Sequence, residues 1–484
     1  MKSVGPHKKK IVVASVITIA GVLYCLISLV NHYLFKTYTL DLGLYTHAMY
    51  DYAHFRIDDC SMFKAVPRSI LSDHFDLYLM LLSPLVYVFG TYTLLIVQIA
   101  AVLLGGWGVY KLIGLYTDDD WLPIIAMASL FFSFGIIQAI AFDYHSNVLT
   151  AMMLPWLLYF LKQRRFAWAS LFVVLFVIGK ENMSLWLFFI AIGLMWDYRK
   201  DKKALWYLVA YALFSIVYFF LINMVVMPRL GGSGGGFSRY AYLGDNYAEI
   251  ARTLLLHPTK TIQILFTNTS GLEWFDGVKE EFYYCALASG MLITILKPNY
   301  LFMLIPLIAQ KMLAADGNFW GISFQYSVEF MPVLVISSFL VFIKLKKRWL
   351  RMTLGVALLI SIVLTTFYTI GVPKSPILVD QLCVYQGRHY EQREFDADYA
   401  RQLISQIPED ASVCASMKFV PHLVFRTGIH DFYAVGDRVK TDYVLVTASY
   451  LEKTRGDHSL FYYRENYEIL STDGTIYLFR RIQP

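Results

Sequence analysis

Apolar runs long enough to cross a lipid bilayer recur through the first 371 residues of this 484-residue chain. A spanning helix needs about 20 mostly apolar residues, because each rises about 1.5 Å through a core about 30 Å thick. The runs at 11–36, 92–113, 121–141, 148–161, 204–227, 326–343 and 350–370 meet or approach that length. Two longer apolar stretches are interrupted, 166–196 by Lys180-Glu181-Asn182 and 282–313 by Lys297-Pro298-Asn299. Each is expected as two short spans or a re-entrant hairpin, with both ends on one side. The sum is about eleven crossings, with 76–90, interrupted by Pro84, as an interfacial helix. The chain is 57% hydrophobic and 16% charged. So few polar residues cannot coat a soluble protein of this length, and they equally exclude a disordered chain, a coiled coil and a disulfide scaffold.

Charge divides the chain in two. Residues 372–484 hold 28 charged side chains among 113, about 25%, the proportion of soluble domains. Residues 1–371 hold 50, about 13%. The reading is a transmembrane domain over 1–371 and a soluble α/β domain over 372–484. The net charge of +6 comes from the membrane part, so it reports orientation and calls for no nucleic-acid partner. The short segments assigned to the cytoplasm collect 18 Lys and Arg, against 11 on the longer outer segments. By the positive-inside rule the N-terminus is cytoplasmic and the C-terminal domain extracytoplasmic.

In the tail, 396–407 reads as a helix, and 411–416, 431–435, 442–447, 466–471 and 475–480 read as strands, the last two joined by the hairpin signal Asp473-Gly474. No catalytic motif stands in it. Of five cysteines, Cys25 and Cys285 lie in apolar runs, and Cys383 and Cys414 are expected to pair if the tail is in an oxidising compartment. The glycine-rich run 231–236 in the outer loop 228–281 reads as a linker.

The functional signal is a set of ionisable residues in otherwise apolar text, all on the outer side of this topology. They are Asp41 in Leu40-Asp41-Leu42-Gly43, Asp73-His74, Asp143-Tyr144-His145, Lys180-Glu181-Asn182, and Gln325-Tyr326 with Glu329. Such residues at membrane depth are costly and mark functional sites. Each has a plainer reading: Asp41, Asp73 and Asp143 as helix caps, His74 and His145 as interfacial hydrogen-bonding groups, Lys180 and Glu181 as a neutral pair. His47, Asp51 and His54 share one face of a helix over 42–55, read as its wet side. Five elements placing such groups at one depth predict a single polar cavity. No metal-ligand motif is present, and the Asp/His mixture only permits a metal.

These motifs carry a resemblance. Asp41 to Ala48, Asp73-His74-Phe75, Phe142 to His145, Lys180 to Asn182 and Gln325 to Ser327 resemble a bacterial membrane-protein family of unknown function, similar in architecture to GT-C glycosyltransferases. The match covers most of 30–345, more loosely Ile407-Pro408 and Val420 to His422. The resemblance implies an enzyme of the bacterial cytoplasmic (inner) membrane. It would move a sugar from a polyprenyl-phosphate donor to a glycan, lipid or protein acceptor at the outer face. GT-C enzymes place an acidic residue early in the first outer loop, and Asp41 matches it as general base. Lys180 is the phosphate-binding candidate, with Arg229 and Arg239 as weaker ones. His74, Asp143, His145, Gln325 and Tyr326 would line the substrate pocket, and Glu181 would orient Lys180. Many GT-C members carry paired acids in that loop. Here Asp41 is followed by Leu42, which leaves a divalent metal as an open cofactor. The rival readings are a transporter or flippase for a lipid-linked or small polar substrate, suggested by the broken helices, and a non-catalytic assembly protein.

Overall fold

A computed structural model describes residues 6–58, 62–63, 69–232, 237–371, 373–375, 379–435, 439–453 and 466–482. The expected glycine run, from 233 to 236, and Cys60 lie outside them. The chain is mainly helical, with one small sheet near its C-terminus.

Among the described residues four helical stretches are long and apolar enough to cross a membrane: His7–Tyr33, Tyr78–Gly114, Lys202–Arg229 and Arg348–Gly371. A fifth is the pair Leu122–Phe131 and Phe134–Ala141, bent by 41°. The remaining apolar text among the described residues folds into helices shorter than a full crossing, so the count of full-length spans is four or five against the eleven crossings expected. Residues 166–196 form Phe166–Val177 and Met183–Asp197, and the last apolar run before Arg348 forms Phe330–Ile343. Residues 282–313 break further, at Gly290 (φ +117°) and at Lys297. The polar interruptions visible in the sequence are the turns. Residues 76–90 are short helical pieces leading into Thr93–Gly114.

Thr93–Gly114 packs closely on Ser146–Lys162 because small residues face the contact. A Cβ on Gly105 would meet Met152 at 2.4 Å, and one on Gly108 would meet Trp156 at 2.9 Å. Such small-residue seams let helix backbones approach where water supplies no driving force.

The basic segments assigned to the cytoplasm come together at one end of the bundle. Lys9 pairs with Asp120 at 2.8 Å, Arg348 with Asp119 at 2.7 Å and Lys297 with Asp197 at 3.5 Å. Arg164 pairs with Asp201, and Lys162 sits 4.3 Å over the Tyr116 ring.

The tail sheet has strands β1 (Val413–Ala415), β2 (Ile429–Asp431), β3 (Tyr443–Thr447), β4 (Tyr467–Thr472) and β5 (Ile476–Arg481), in the order β2-β1-β3-β5-β4. The first three are parallel, and β5 runs antiparallel to β3 and β4. Side chains alternate between faces, as in any strand. Val413, Ala415 and Leu445 pack with the helix Ala397–Ser405, while Cys414, Val444 and Val446 pack with Phe432–Val435. Gly474, at φ +89°, turns the β4–β5 hairpin as expected.

Two expectations fail here. The run 431–435 is a strand only up to Asp431. Asp431 Oδ1 then accepts the N–H groups of Tyr433 and Ala434 and starts a helix, Phe432–Val435. Cys383 and Cys414 do not pair. Both are free and buried, Cys383 in the membrane-domain core and Cys414 in the tail.

Candidate functional site

Asp41 lies in one π-helical turn, Thr39–Gly43, that precedes the helix Leu44–Ala53. That helix has no side-chain cap, so Asp41 is not spent on capping it. Its carboxylate faces His145, with Oδ1 3.2 Å from Nε2. Asp41 is partly exposed, at 17% of its side-chain surface, whereas His145 is buried.

His145 is held from three directions. Its backbone N–H donates to Gln98 Oε1 at 2.9 Å, Phe142 stacks on its ring at 5.3 Å, and Tyr45 meets it edge-on at 6.3 Å. Burial pushes the imidazole pKa down, and the adjacent Asp41 only partly offsets this. A neutral ring presenting its N–H from Nε2 donates to the Asp41 carboxylate. Nδ1 is buried without a hydrogen-bond partner among the described residues.

Asp143 is turned onto the backbone of the first loop. It is buried, and its Oδ2 accepts the backbone N–H groups of Tyr38 at 3.2 Å and Leu42 at 3.4 Å, so it anchors the turn that carries Asp41. Burial, with the nearby Asp41 charge second, pushes its carboxyl well up. Its φ of +35° is a costly conformation for a residue with a Cβ. Phe324, at φ +59°, packs its ring 4.4 Å from Phe142 on the same site.

The second group sits in the turn between Phe166–Val177 and Met183–Asp197. Glu181 Oε1 is 3.4 Å from His74 Nδ1, and Oε2 accepts the Phe75 N–H at 3.1 Å. Burial would raise this carboxyl. Its partners His74 and Lys180 outweigh that and lower the pKa to about 2. Lys180 Nζ is 3.4 Å from His74 Nε2, so Glu181 fixes His74, and His74 in turn touches Lys180. The two groups are electrostatically joined, because the Lys180 charge acts on His145. Tyr326 lies in the fields of Asp41 and Arg239. Arg239 is stacked 4.3 Å over Phe319, itself 4.3 Å from Tyr326, whereas Arg229 is exposed at the end of the helical stretch Lys202–Arg229. Gln325 is buried; its backbone carbonyl accepts Asn147 Nδ2 at 3.4 Å, and Asn147 donates to Glu329 at 2.7 Å. Asp73 is exposed. His47 and Asp51 are buried, not a wet face. Among the described residues no three His, Cys, Asp or Glu side chains gather as a metal-ligand group.

Sequence reading missed three supports. Gln98, a lone amide in an apolar span, also donates to Asp143 O at 2.8 Å. Asn147 follows His145 by two residues. Asp76, buried beside Tyr78 and Tyr144, was overshadowed by Asp73 and His74. A polar side chain alone in an apolar run was the available signal. Beside Tyr38 a cleft of about 490 Å³ opens between the first loop and the tail, lined by Lys36, Tyr38, Gln381, Glu391, Arg393 and Lys418 among others.

The fold is similar to that of a solved membrane protein, ArnT. ArnT from Cupriavidus metallidurans, solved with undecaprenyl phosphate bound, superposes with a TM-score of 0.58 at 11% identity, over 99% of each chain. ArnT from that organism in the apo state gives 0.49 at 10% identity, over 97% of this chain and 98% of that one. The archaeal oligosaccharyltransferase AglB from Archaeoglobus fulgidus, in complex with an inhibitory peptide and a dolichol-phosphate, gives 0.47 at 12%, over 97% of this chain and 74% of AglB. A search of curated proteins finds no sequence match. Residues 31–470 match the family described as predicted membrane protein (DUF2079), and the chain belongs to that family.

Proposed function

We propose that this protein is an integral-membrane glycosyltransferase that moves a sugar from a polyprenyl-phosphate donor to an acceptor at the extracytoplasmic face of the bacterial inner membrane. The observation that carries the reading is the pairing of a partly exposed Asp41 with the buried His145, within the field of a second, cationic group at Lys180.

The chemistry follows from those residues. Asp41 accepts the proton of the acceptor hydroxyl, and the acceptor oxygen attacks the anomeric carbon. The bond from that carbon to the phosphate oxygen breaks, and the polyprenyl phosphate leaves with the electron pair. His145 holds the Asp41 carboxylate by one hydrogen bond. Lys180, steadied by His74 and Glu181, balances the negative charge gathering on the phosphate, with Arg239 at the rim. Asp41 has Leu42 beside it instead of a second acid, so no step here is routed through a divalent cation. The likeness to ArnT supports the fold that such a donor would need.

The test is transfer from a panel of synthetic polyprenyl-phosphate sugars by purified protein, with and without EDTA. Wild type should consume a donor and release polyprenyl phosphate, and Asp41→Asn should lose transfer by at least about 100-fold while still inserting into membranes. Unchanged turnover in Asp41→Asn would remove Asp41 from the base role. Movement of an intact donor across the bilayer without cleavage would instead favour the flippase reading, to which the helices interrupted at 178–182 give support.

A further inference from the structure

The turn that carries Asp41 is held by two bodies. On the membrane side Asp143 takes two of its backbone N–H groups. On the other side it is gripped by the C-terminal domain. Thr39 is fully buried, and its hydroxyl lies 2.6 Å from Asp431 Oδ2, with Met417 O at 3.1 Å. Asp431 is buried at the end of β2. Its two oxygens divide their work. Oδ1 starts the helix Phe432–Val435, and Oδ2 reaches across to Thr39, 392 residues away in sequence.

The contact continues on both flanks of the turn. Gln392 Nε2 donates to Leu34 O at 2.8 Å, Lys36 Nζ to His389 O at 2.7 Å, and Gln381 Nε2 to Lys36 O at 2.7 Å. Phe35, bent to φ +56°, puts its ring against Phe395, Phe419 and His422. Gly43 lies so near the tail that a Cβ there would meet Val420 at 3.3 Å. After the turn, His47 Nδ1 and Val424 O are 2.9 Å apart. Leu34, Phe35 and Lys36 before the turn, Thr39 and Gly43 within it and His47 after it are therefore tied to the tail, and Asp41 is two residues from the buried Thr39–Asp431 bond.

We infer that the C-terminal domain positions the Asp41 carboxylate, and that Thr39 and Asp431 are the positioning residues through which it acts. The inference rests on reading Asp41 as the general base. Neither residue touches the reacting atoms. A buried carboxylate aimed at one hydroxyl fixes the rotation of the turn in a way that apolar packing alone does not, because a hydrogen bond has direction.

The experiment uses the full-length protein in nanodiscs, with Thr39→Val, Thr39→Ser and Asp431→Asn. Valine keeps the shape of threonine and removes its donor, and serine restores the donor. Hydrogen exchange of the peptide spanning 38–44 reads the turn, exchange of β1 and β3 reports that the tail stays folded, and donor turnover gives kcat and KM. In Thr39→Val the 38–44 amides should exchange roughly tenfold faster, the effect of losing one buried hydrogen bond on a locally opening segment. The kcat should fall by a similar factor with donor KM unchanged, β1 and β3 should keep their protection, and Thr39→Ser should return both values towards wild type. Asp431→Asn should behave like Thr39→Val, more weakly. Unchanged exchange over 38–44 in Thr39→Val overturns the inference, as does faster exchange with an unchanged kcat. If the wild type transfers no sugar at all, the glycosyltransferase reading and the link to turnover fail together, while the exchange data still decide whether the tail holds the turn.

Discussion

At the scale of single residues, burial decides which ionisable groups can do chemistry and which hold others in place. Asp41 keeps an open face, whereas Asp143 and Asp76 do not. Asp76 shows the cost. Burial pushes its pKa up to about 7 from 3.8, with the Tyr78 N–H and the Lys180 charge only partly countering. The sign follows from proton counting. Between those two values the folded chain holds a proton on Asp76 that the unfolded chain has released. Stability therefore falls as pH rises from about 4 to about 7, and this contribution is flat above that. Asp76→Asn, which stays neutral, should lose that slope, so the difference in melting temperature between variant and wild type should grow towards pH 7. Thermal melts across pH 4 to 8 check this, and parallel curves would refute it. The sequence marked Asp41, His145 and Lys180 because charge in apolar text is conspicuous. It did not say which acid faces the site, because Asp143 and Asp41 read alike until the fold turns one of them onto backbone N–H groups.

At the scale of elements, glycine in the helix Thr93–Gly114 sets the distances on which the site depends. Gly106 faces Phe131, and a Cβ there would come within 2.0 Å of a ring that is fully buried. Phe131 ends the first half of the bent pair whose second half runs into the Phe142–His145 turn. Gly106→Ala should therefore lower stability by about 1–3 kcal/mol, the cost of overpacking a filled core. A fall in the unfolding midpoint in detergent, with Gly114→Ala as the open-space control, measures it. Element types were largely legible, since apolar length separates membrane helices from the tail and Asp473-Gly474 marks its hairpin. Boundaries were not. The apolar run after Asp431 looked like strand, although Asp in front of such a run is also a helix start, and tertiary packing chose the helix. The membrane helices came out shorter than the apolar text because polar turns such as Lys180-Glu181-Asn182 fold back into the site instead of standing beyond the lipid.

At the scale of the whole molecule, orientation decides whether the proposed chemistry faces outwards. Charge is divided between the two ends of the molecule. The basic segments, scattered through the sequence, meet as the Lys9–Asp120, Arg348–Asp119 and Lys297–Asp197 pairs at one end. The acids and histidines meet elsewhere, beside a tail that closes over the Asp41 turn. An excess of Lys and Arg on short loops retains them in the cytoplasm, so the site and tail should lie on the far side. The sequence carries this expectation as a charge bias, but a bias cannot count crossings through helices of 10–17 residues. Cysteine labelling can. With the five native cysteines replaced, Lys200→Cys and Ser405→Cys, both exposed, report the two ends. In sealed right-side-out vesicles a membrane-impermeant maleimide should label position 405 at once and position 200 only after detergent. Labelling of 200 alone would invert the protein and place the site on the cytoplasmic face. Labelling of both would mean that the number of crossings between 200 and 405 is even, not the odd number that an outward tail requires.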